Sequence, residues 1–195
     1  PFEVMRLSKN EQIAVLVEEM IEVGKIKLKQ LRQERDYKHR LCLVLSGSTC
    51  YFIDDDEVAH PDWLQNLIQT WVETQADIVT GPVYPQLPPN SPNWAVKGNA
   101  FGSPYQYETG QQITRAYTNN ILINRGVLEV IKPAFHPAFN LTGSSDHHLS
   151  LRIIQEGFNI VWCNEAIILE EVPKSRVSIR WLIKRSYRAG IGDTR

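Results

Sequence analysis

Between Tyr51 and Glu57 the chain reads Tyr-Phe-Ile-Asp-Asp-Asp-Glu, so an apolar, β-type segment delivers three consecutive carboxylates to its C-terminal end. Side by side in water these acids repel, and buried without a partner they carry a heavy desolvation cost. Oxygen ligands gathered this way suit a hard divalent cation, Mg²⁺ or Mn²⁺. Side chains alternate along an extended segment, so Asp54 and Asp56 can face one ion while Asp55 faces away. That D-x-D geometry suits a cation bridging two phosphates, where it would neutralise charge developing on a diphosphate leaving group. A solvated acidic turn explains the same residues without a ligand.

A further acid, Asp146, stands where a glycine-containing loop enters a helix, followed by His147 and His148. It is a candidate general base, which needs hydrogen-bond reach to the proton it removes. Capping its own helix is the alternative role. The two histidines read as polar lining or solvent-facing rather than as metal ligands, because their spacing from Asp146 completes no metal set. Arg176, Arg180, Lys184, Arg185 and Arg188 lie within one helical stretch, and positions 176, 180 and 184 share a face. They form either a solvated basic face or a set of cations that closes over a diphosphate or lies against anionic headgroups.

The elements that must position these groups alternate in type. Ser8 to Asp36 has helical periodicity, and residues 1–37 read as a helical lead-in. Leu41–Leu45 is a short apolar run that periodicity leaves open between helix and strand, and Cys50–Ile53 is a strand. His60-Pro61-Asp62 opens a helix whose buried stripe is Trp63, Leu64, Leu67, Ile68, Trp71 and Val72. A strand is expected over 76–83, and Pro85, Pro88, Pro89 and Pro92 make the next stretch an irregular loop. Residues 117–123 are strand-like, 125–131 form a short helix, and Ser144-Ser145-Asp146 caps a helix through Ile154 that ends at Gly157. Two short strands, 158–162 and 166–169, precede a basic helix in 174–195. Strands alternating with helices predict α/β layers on a mostly parallel, mixed sheet.

With 195 residues, 43% of them hydrophobic, the chain can bury one domain, and a net charge of -1 gives no general attraction for nucleic acid. Three cysteines without metal spacing fit a reducing compartment. No apolar run approaches the roughly 20 residues that span a bilayer. The chain begins at Pro1 and stops soon after Gly190-Ile191-Gly192, so both ends are expected to be cut from something longer.

Taken in order, Tyr51 to Glu57, Pro61-Asp62-Trp63-Leu64, Asp77 to Val83, Thr118-Asn119-Asn120, Phe139 to His148 and Arg176 to Trp181 resemble glycosyltransferase family 2, with a likeness to bacterial glucosyltransferases of succinoglycan-type exopolysaccharide synthesis. The likeness runs from Lys38 to Gly190. It implies a GT-A fold, a nucleotide-sugar donor such as a UDP-sugar, and transfer with inversion to a saccharide or lipid-linked oligosaccharide acceptor. By position, Asp54 and Asp56 would hold Mg²⁺ or Mn²⁺ and the diphosphate, with Asp55 as neighbour, and Asp146 would deprotonate the acceptor hydroxyl. Arg180 and Trp181 resemble the Arg-Trp pair of processive members. Val177 stands where those have Gln, so addition of a single sugar is expected. The implied location is the cytoplasm, at the inner face of the cytoplasmic membrane.

The chain departs from the family at its front, where nothing before Lys38 reproduces the usual first strand and nucleobase-binding Asp. The domain is therefore expected to be incomplete at its N-terminus, and residues 1–195 alone to bind donor poorly. Leu169 stands where some relatives place a metal-binding His, with Glu170 or Glu171 as a substitute. Two other readings compete. A haloacid-dehalogenase-type phosphohydrolase also places D-x-D after a strand, although Val58 occupies the position of that family's Thr. A non-catalytic module of the same fold would bind glycan or protein.

Overall fold

A computed structural model of the chain describes residues 41–45, 49–54, 57–102, 105–134 and 145–193. The lead-in over 1–37, Asp55, Asp56 and the loop leading to Ser144 lie outside the described residues. In chain order the elements are β1 (Leu41–Leu45), β2 (Thr49–Ile53), β3 (Glu57–Ala59), α1 (Trp63–Thr74), β4 (Ile78–Thr80), β5 (Val83–Gln86), α2 (Asn93–Lys97), β6 (Gln112–Ile113), β7 (Asn120–Asn124), α3 (Arg125–Val130), α4 (Ser145–Gln155), β8 (Ile160–Trp162), β9 (Ile168–Glu171) and α5 (Ile179–Asp193). A 3₁₀ turn, Lys174–Arg176, leads into α5.

Alternation along the strands sorts the core into two faces. Tyr51, Leu122, Val79 and Val161 stand opposite one another in register across β2, β7, β4 and β8, and they pack against Trp63, Leu64, Leu67 and Ile68 of α1. The residues one step along, Cys50, Ile123, Ile78 and Ile160, face the other way onto Val127, Leu149 and Ile153 of α3 and α4. Period-2 patterning thus sandwiches one sheet between helices.

That sheet has six strands in the order β1-β2-β7-β4-β8-β6, and a three-stranded sheet has the order β3-β9-β5. The expected α/β layering and mixed sheet are present. The mostly parallel pairing is corrected for the described strands: in the larger sheet β4 and β8 are parallel, and β1–β2, β2–β7, β4–β7 and β6–β8 are antiparallel. The reason is that β7 enters between β2 and β4 running opposite to both.

Other boundaries shift for local reasons. Helix α1 begins at Trp63 rather than at Pro61, and Asp62 makes no side-chain cap. The strand expected over 76–83 divides at Gly81-Pro82, where the chain leaves one sheet for the other. A Cβ on Gly81 would meet the Ala166 carbonyl oxygen at 2.5 Å and that of Cys163 at 2.8 Å, so only glycine permits this crossing. Pro85 falls inside β5, which the proline-rich loop reading excluded; β5 is an edge strand, where a missing N–H is tolerated.

Asn120 joins these parts. Fully buried at the start of β7, its side chain accepts from Trp63 Nε1 at 2.7 Å and donates to the carbonyls of Pro82 at 3.0 Å and Ala166 at 2.7 Å. Thr80 Oγ1 donates to the Asn120 carbonyl at 2.6 Å. One amide therefore ties α1, both sheets and the turn before β9.

Candidate functional site

The C-terminal ends of β2, β4 and β8 and the N-terminal end of β7 share one edge of the larger sheet, since Ile53 pairs with Asn120 and Thr80 with both Ile121 and Trp162. Open α/β sheets place ligands outside such an edge. Here it opens on a cavity of about 390 Å³ whose polar lining includes Asp54, Asn119, Asp146, Glu170, Arg176 and Arg185. Asp54 and Asp146, separated by most of the described chain, thus face one space.

Each group has an identifiable support. Asp54 leaves the end of β2, and its backbone N–H donates to Glu57 Oε2 at 3.0 Å. Asp146 stands in the first turn of α4, where Thr118 Oγ1 donates to its Oδ1 at 2.8 Å. Ser150, one turn on, accepts from the Ala116 N–H at 3.1 Å, fixing α4 to the segment that carries Thr118. Asn119 Nδ2 donates to Glu57 Oε1 at 2.7 Å. The Asn119 Oδ1 is buried and has no hydrogen-bond partner among the described residues.

Arg176 pairs with Glu170 at 3.2 Å, linking the 3₁₀ turn to β9. Trp181 stacks on Phe101 with ring centroids 5.8 Å apart, and the guanidinium carbons of Arg176 and Arg185 lie 6.0 and 5.2 Å from its ring centre. Trp181 holds the two cavity-facing arginines through its π face. Arg180 is exposed and does not line the cavity. Asp55 and Asp56, expected beside Asp54, lie outside the described residues. Sequence reasoning gave Thr118, Asn119 and Glu57 no role of their own, and named Arg176 and Arg185 only within the set of cations able to close over a diphosphate. Glu57 closes the acidic run, and the two arginines stand in the basic stretch. Thr118 and Asn119 stand out only as part of the family-like stretch Thr118-Asn119-Asn120.

Burial pushes the Glu57 carboxyl up to about 8; the charges of Asp54 and Glu170 add to this, and hydrogen bonds from the Asp54 N–H and the Asn119 amide oppose it. In an unfolded chain a glutamate titrates near about 4.3. Between those values the folded protein holds a proton that the unfolded chain has released, so stability falls as pH rises through the window. The contribution is fully present below the unfolded value and lost above the folded one. Melting temperature measured against pH without divalent cations is expected to decline across this range, and Glu57→Gln to flatten the decline. A variant curve parallel to the parent's would show that Glu57 is not the group responsible.

Among the described residues no three Asp, Glu, His or Cys side chains converge as a metal cluster. The donors present nevertheless fit a hard cation. Asn119 offers a buried amide oxygen with no hydrogen-bond partner among the described residues, and the carboxylates of Asp54 and Glu170 stand close enough to Glu57 to add to its cost of ionisation.

Residues 3–192 match the sequence profile of the family described as Glycosyltransferase like family 2, a span that begins well before Lys38. Over 145 residues, 74% of this chain, the sequence is 32% identical to the succinoglycan biosynthesis protein ExoM of Rhizobium meliloti (strain 1021). That alignment takes in 47% of ExoM, so the chain spans about half the length of this relative.

Proposed function

Because the chain belongs to Glycosyltransferase like family 2, we propose that its cavity transfers a sugar, with inversion, from a nucleotide-sugar donor to a saccharide or lipid-linked saccharide acceptor in cell-surface polysaccharide synthesis. Family membership leaves the haloacid-dehalogenase alternative without support. The observation that carries the reading is the shared cavity: Asp54 and Asp146 line one space together with two arginines.

In this reading Asp146, oriented by Thr118, takes the proton from the acceptor hydroxyl as that oxygen attacks the anomeric carbon. Asp54 and the Asn119 amide oxygen, with Asp56, would hold Mg²⁺ or Mn²⁺. When bound, the cation neutralises charge on the departing nucleoside diphosphate. Arg176 and Arg185 add fixed positive charge to the same cavity, steadied by Trp181. A UDP-sugar is the donor that the resemblance favours, and UDP-glucose is the first to test.

The protein carrying these residues is expected to release UDP from UDP-glucose in the presence of Mn²⁺. Asp54→Asn removes the charge but keeps the shape, and weakens Mn²⁺-dependent UDP binding about tenfold or more in calorimetry, the equivalent of about 1.4 kcal/mol. Unchanged binding by that variant would remove Asp54 from the donor site. Absence of turnover with any nucleotide sugar would favour a non-catalytic binding module.

A further inference from the structure

Edge strand β5 separates two hollows. Val83 and Pro85 line the charged cavity. Tyr84, pointing the other way as strand alternation requires, lines a groove of about 290 Å³ to which Ala95 and Val96 of α2 also contribute. Pro85 and Phe101 line both spaces, so the groove adjoins the cavity. The far wall is built from the chain's own contacts. Ala95 is buried, and the chain leaves α2 through a turn in which Asn99 and Gly102 take positive φ, 47° and 87°, while the Gly102 N–H donates to the Asn99 carbonyl at 3.0 Å. Stacking on Trp181 then holds Phe101 at the junction of the two spaces. Their linings differ in kind. The cavity carries Asp54, Asp146, Glu170, Arg176 and Arg185, whereas among the described residues the groove has no carboxylate, ammonium or guanidinium. It offers the rings of Tyr84 and Phe101, the amides of Asn99 and Gln106, and aliphatic Leu87 and Val96.

We propose, resting on the transferase reading, that this groove is an acceptor subsite: it holds a neutral sugar unit next to the one whose hydroxyl faces Asp146, so the acceptor is an oligosaccharide rather than a single sugar. A pyranose presents C–H groups on its faces and hydroxyls around its rim. These match aromatic rings set beside side-chain amides, each of which both donates and accepts. A phosphate or a uronate would find no cation in the groove and would lose water for nothing. The diphosphate of the donor belongs with the arginines of the cavity, which leaves the groove to the other substrate. A lipid tail is best served by an unbroken apolar trench, and the exposed Asn99 and Gln106 interrupt this one. The volume lies near the lower bound of ligand sites, about 300 Å³, and suits one ring.

The test is a titration of the isotope-labelled chain, without donor or metal, followed by its amide NMR signals. Cellobiose, laminaribiose, gentiobiose and lactose are the probes, compared with glucose and with farnesyl phosphate. At least one disaccharide is expected to shift the signals of Val96, Asn99 and Gln106 together with those of Tyr105 or Tyr117 in the cavity, and to bind about tenfold or more tightly than glucose. Val96→Arg fills the groove, and Asn99→Gly removes an amide while keeping a residue that accepts positive φ; each is expected to weaken this binding about fivefold or more. Val96 is 56% exposed, so circular dichroism and melting temperature of its variant should match the parent. In turnover with UDP-glucose and the same disaccharide, Val96→Arg is expected to raise the acceptor KM about fivefold or more and to leave Mn²⁺-dependent UDP binding as in the parent. Shifts confined to the cavity, or no disaccharide bound more tightly than glucose, would overturn the subsite while the transferase reading still stood on UDP release. Groove shifts with farnesyl phosphate and none with a disaccharide would also overturn it, assigning the groove to a lipid tail. Disaccharide binding in the groove of a protein that releases no UDP from any nucleotide sugar would remove the transferase reading, and the acceptor role with it.

Discussion

If Asp146 is the proposed base, replacing it by asparagine is expected to lower kcat by about 10²–10⁴-fold while leaving donor affinity and melting temperature close to those of the parent. Asparagine has nearly the shape of aspartate, and its Oδ1 still accepts from Thr118, so the first turn of α4 keeps its anchor. What it lacks is a carboxylate that can take a proton. The loss therefore falls on the chemical step, not on binding, and appears in kcat with little change in the donor KM. Thr118→Val makes the complementary change. It keeps the base and removes the hydrogen bond that orients it, and kcat is expected to fall about tenfold, equivalent to about 1.4 kcal/mol of barrier. An Asp146→Asn protein that retained more than about a tenth of the parent kcat would fall outside the range for a general base.

Removal of the Asn120 side chain is expected to be the most damaging change to the fold. Asn120→Ala leaves the Trp63 N–H and the Ala166 carbonyl without the partner they now have, while the Pro82 carbonyl loses one of two donors and keeps the Ile168 N–H. Each buried polar group left unsatisfied costs about 1–3 kcal/mol, and partial relaxation brings the total to about 3–5 kcal/mol. For a domain of this size the melting temperature then falls by roughly 8–16 °C. Asn120→Asp keeps the acceptor for Trp63 and loses both donations, so it sets two carbonyl dipoles against a charge and is expected to be no milder. Urea denaturation of the three proteins checks this, and a destabilisation by Asn120→Ala of less than about 1 kcal/mol would mean that water replaces the amide.

Local signals in the sequence disclosed the parts of the site, and the family resemblance put Asp54 and Asp146 in one cavity, as the structure has them, but neither gave the strand directions that bring them there. An apolar run ending in acids reads correctly as a strand with Asp54 at its tip, because both properties belong to adjacent residues. Asp146 in the first turn of α4 is legible for the same reason. Strand direction is not legible, because it depends on which distant strand lies alongside. Nothing within residues 120–124 says that they enter between β2 and β4 running opposite to both. Leu41–Leu45 is a strand only because β2 is there to pair with it. The arginines show a subtler failure. Spacing alone gives Arg176, Arg180 and Lys184 one common face, which requires a continuous helix. The chain instead forms a 3₁₀ turn at Lys174–Arg176 and starts α5 at Ile179. Stacking of Trp181 on Phe101 then sets the rotation of the helix, and Arg185 rather than Arg180 reaches the cavity.

The position of β7 also governs how the protein comes into being on the ribosome. Strands β2 and β4 leave the exit tunnel early, but the strand that joins them is made later, and Arg185 later still. At about 5–20 residues per second, the roughly 130 residues between Asp54 and Arg185 take on the order of ten seconds to add. Until Arg176 and Arg185 are added the acidic tip lacks its basic counterparts, and until β7 is made two strand edges await their neighbour. A chain that ends before Arg185 is therefore expected to lack a complete cavity, and its open edges are where a chaperone would be expected to hold it.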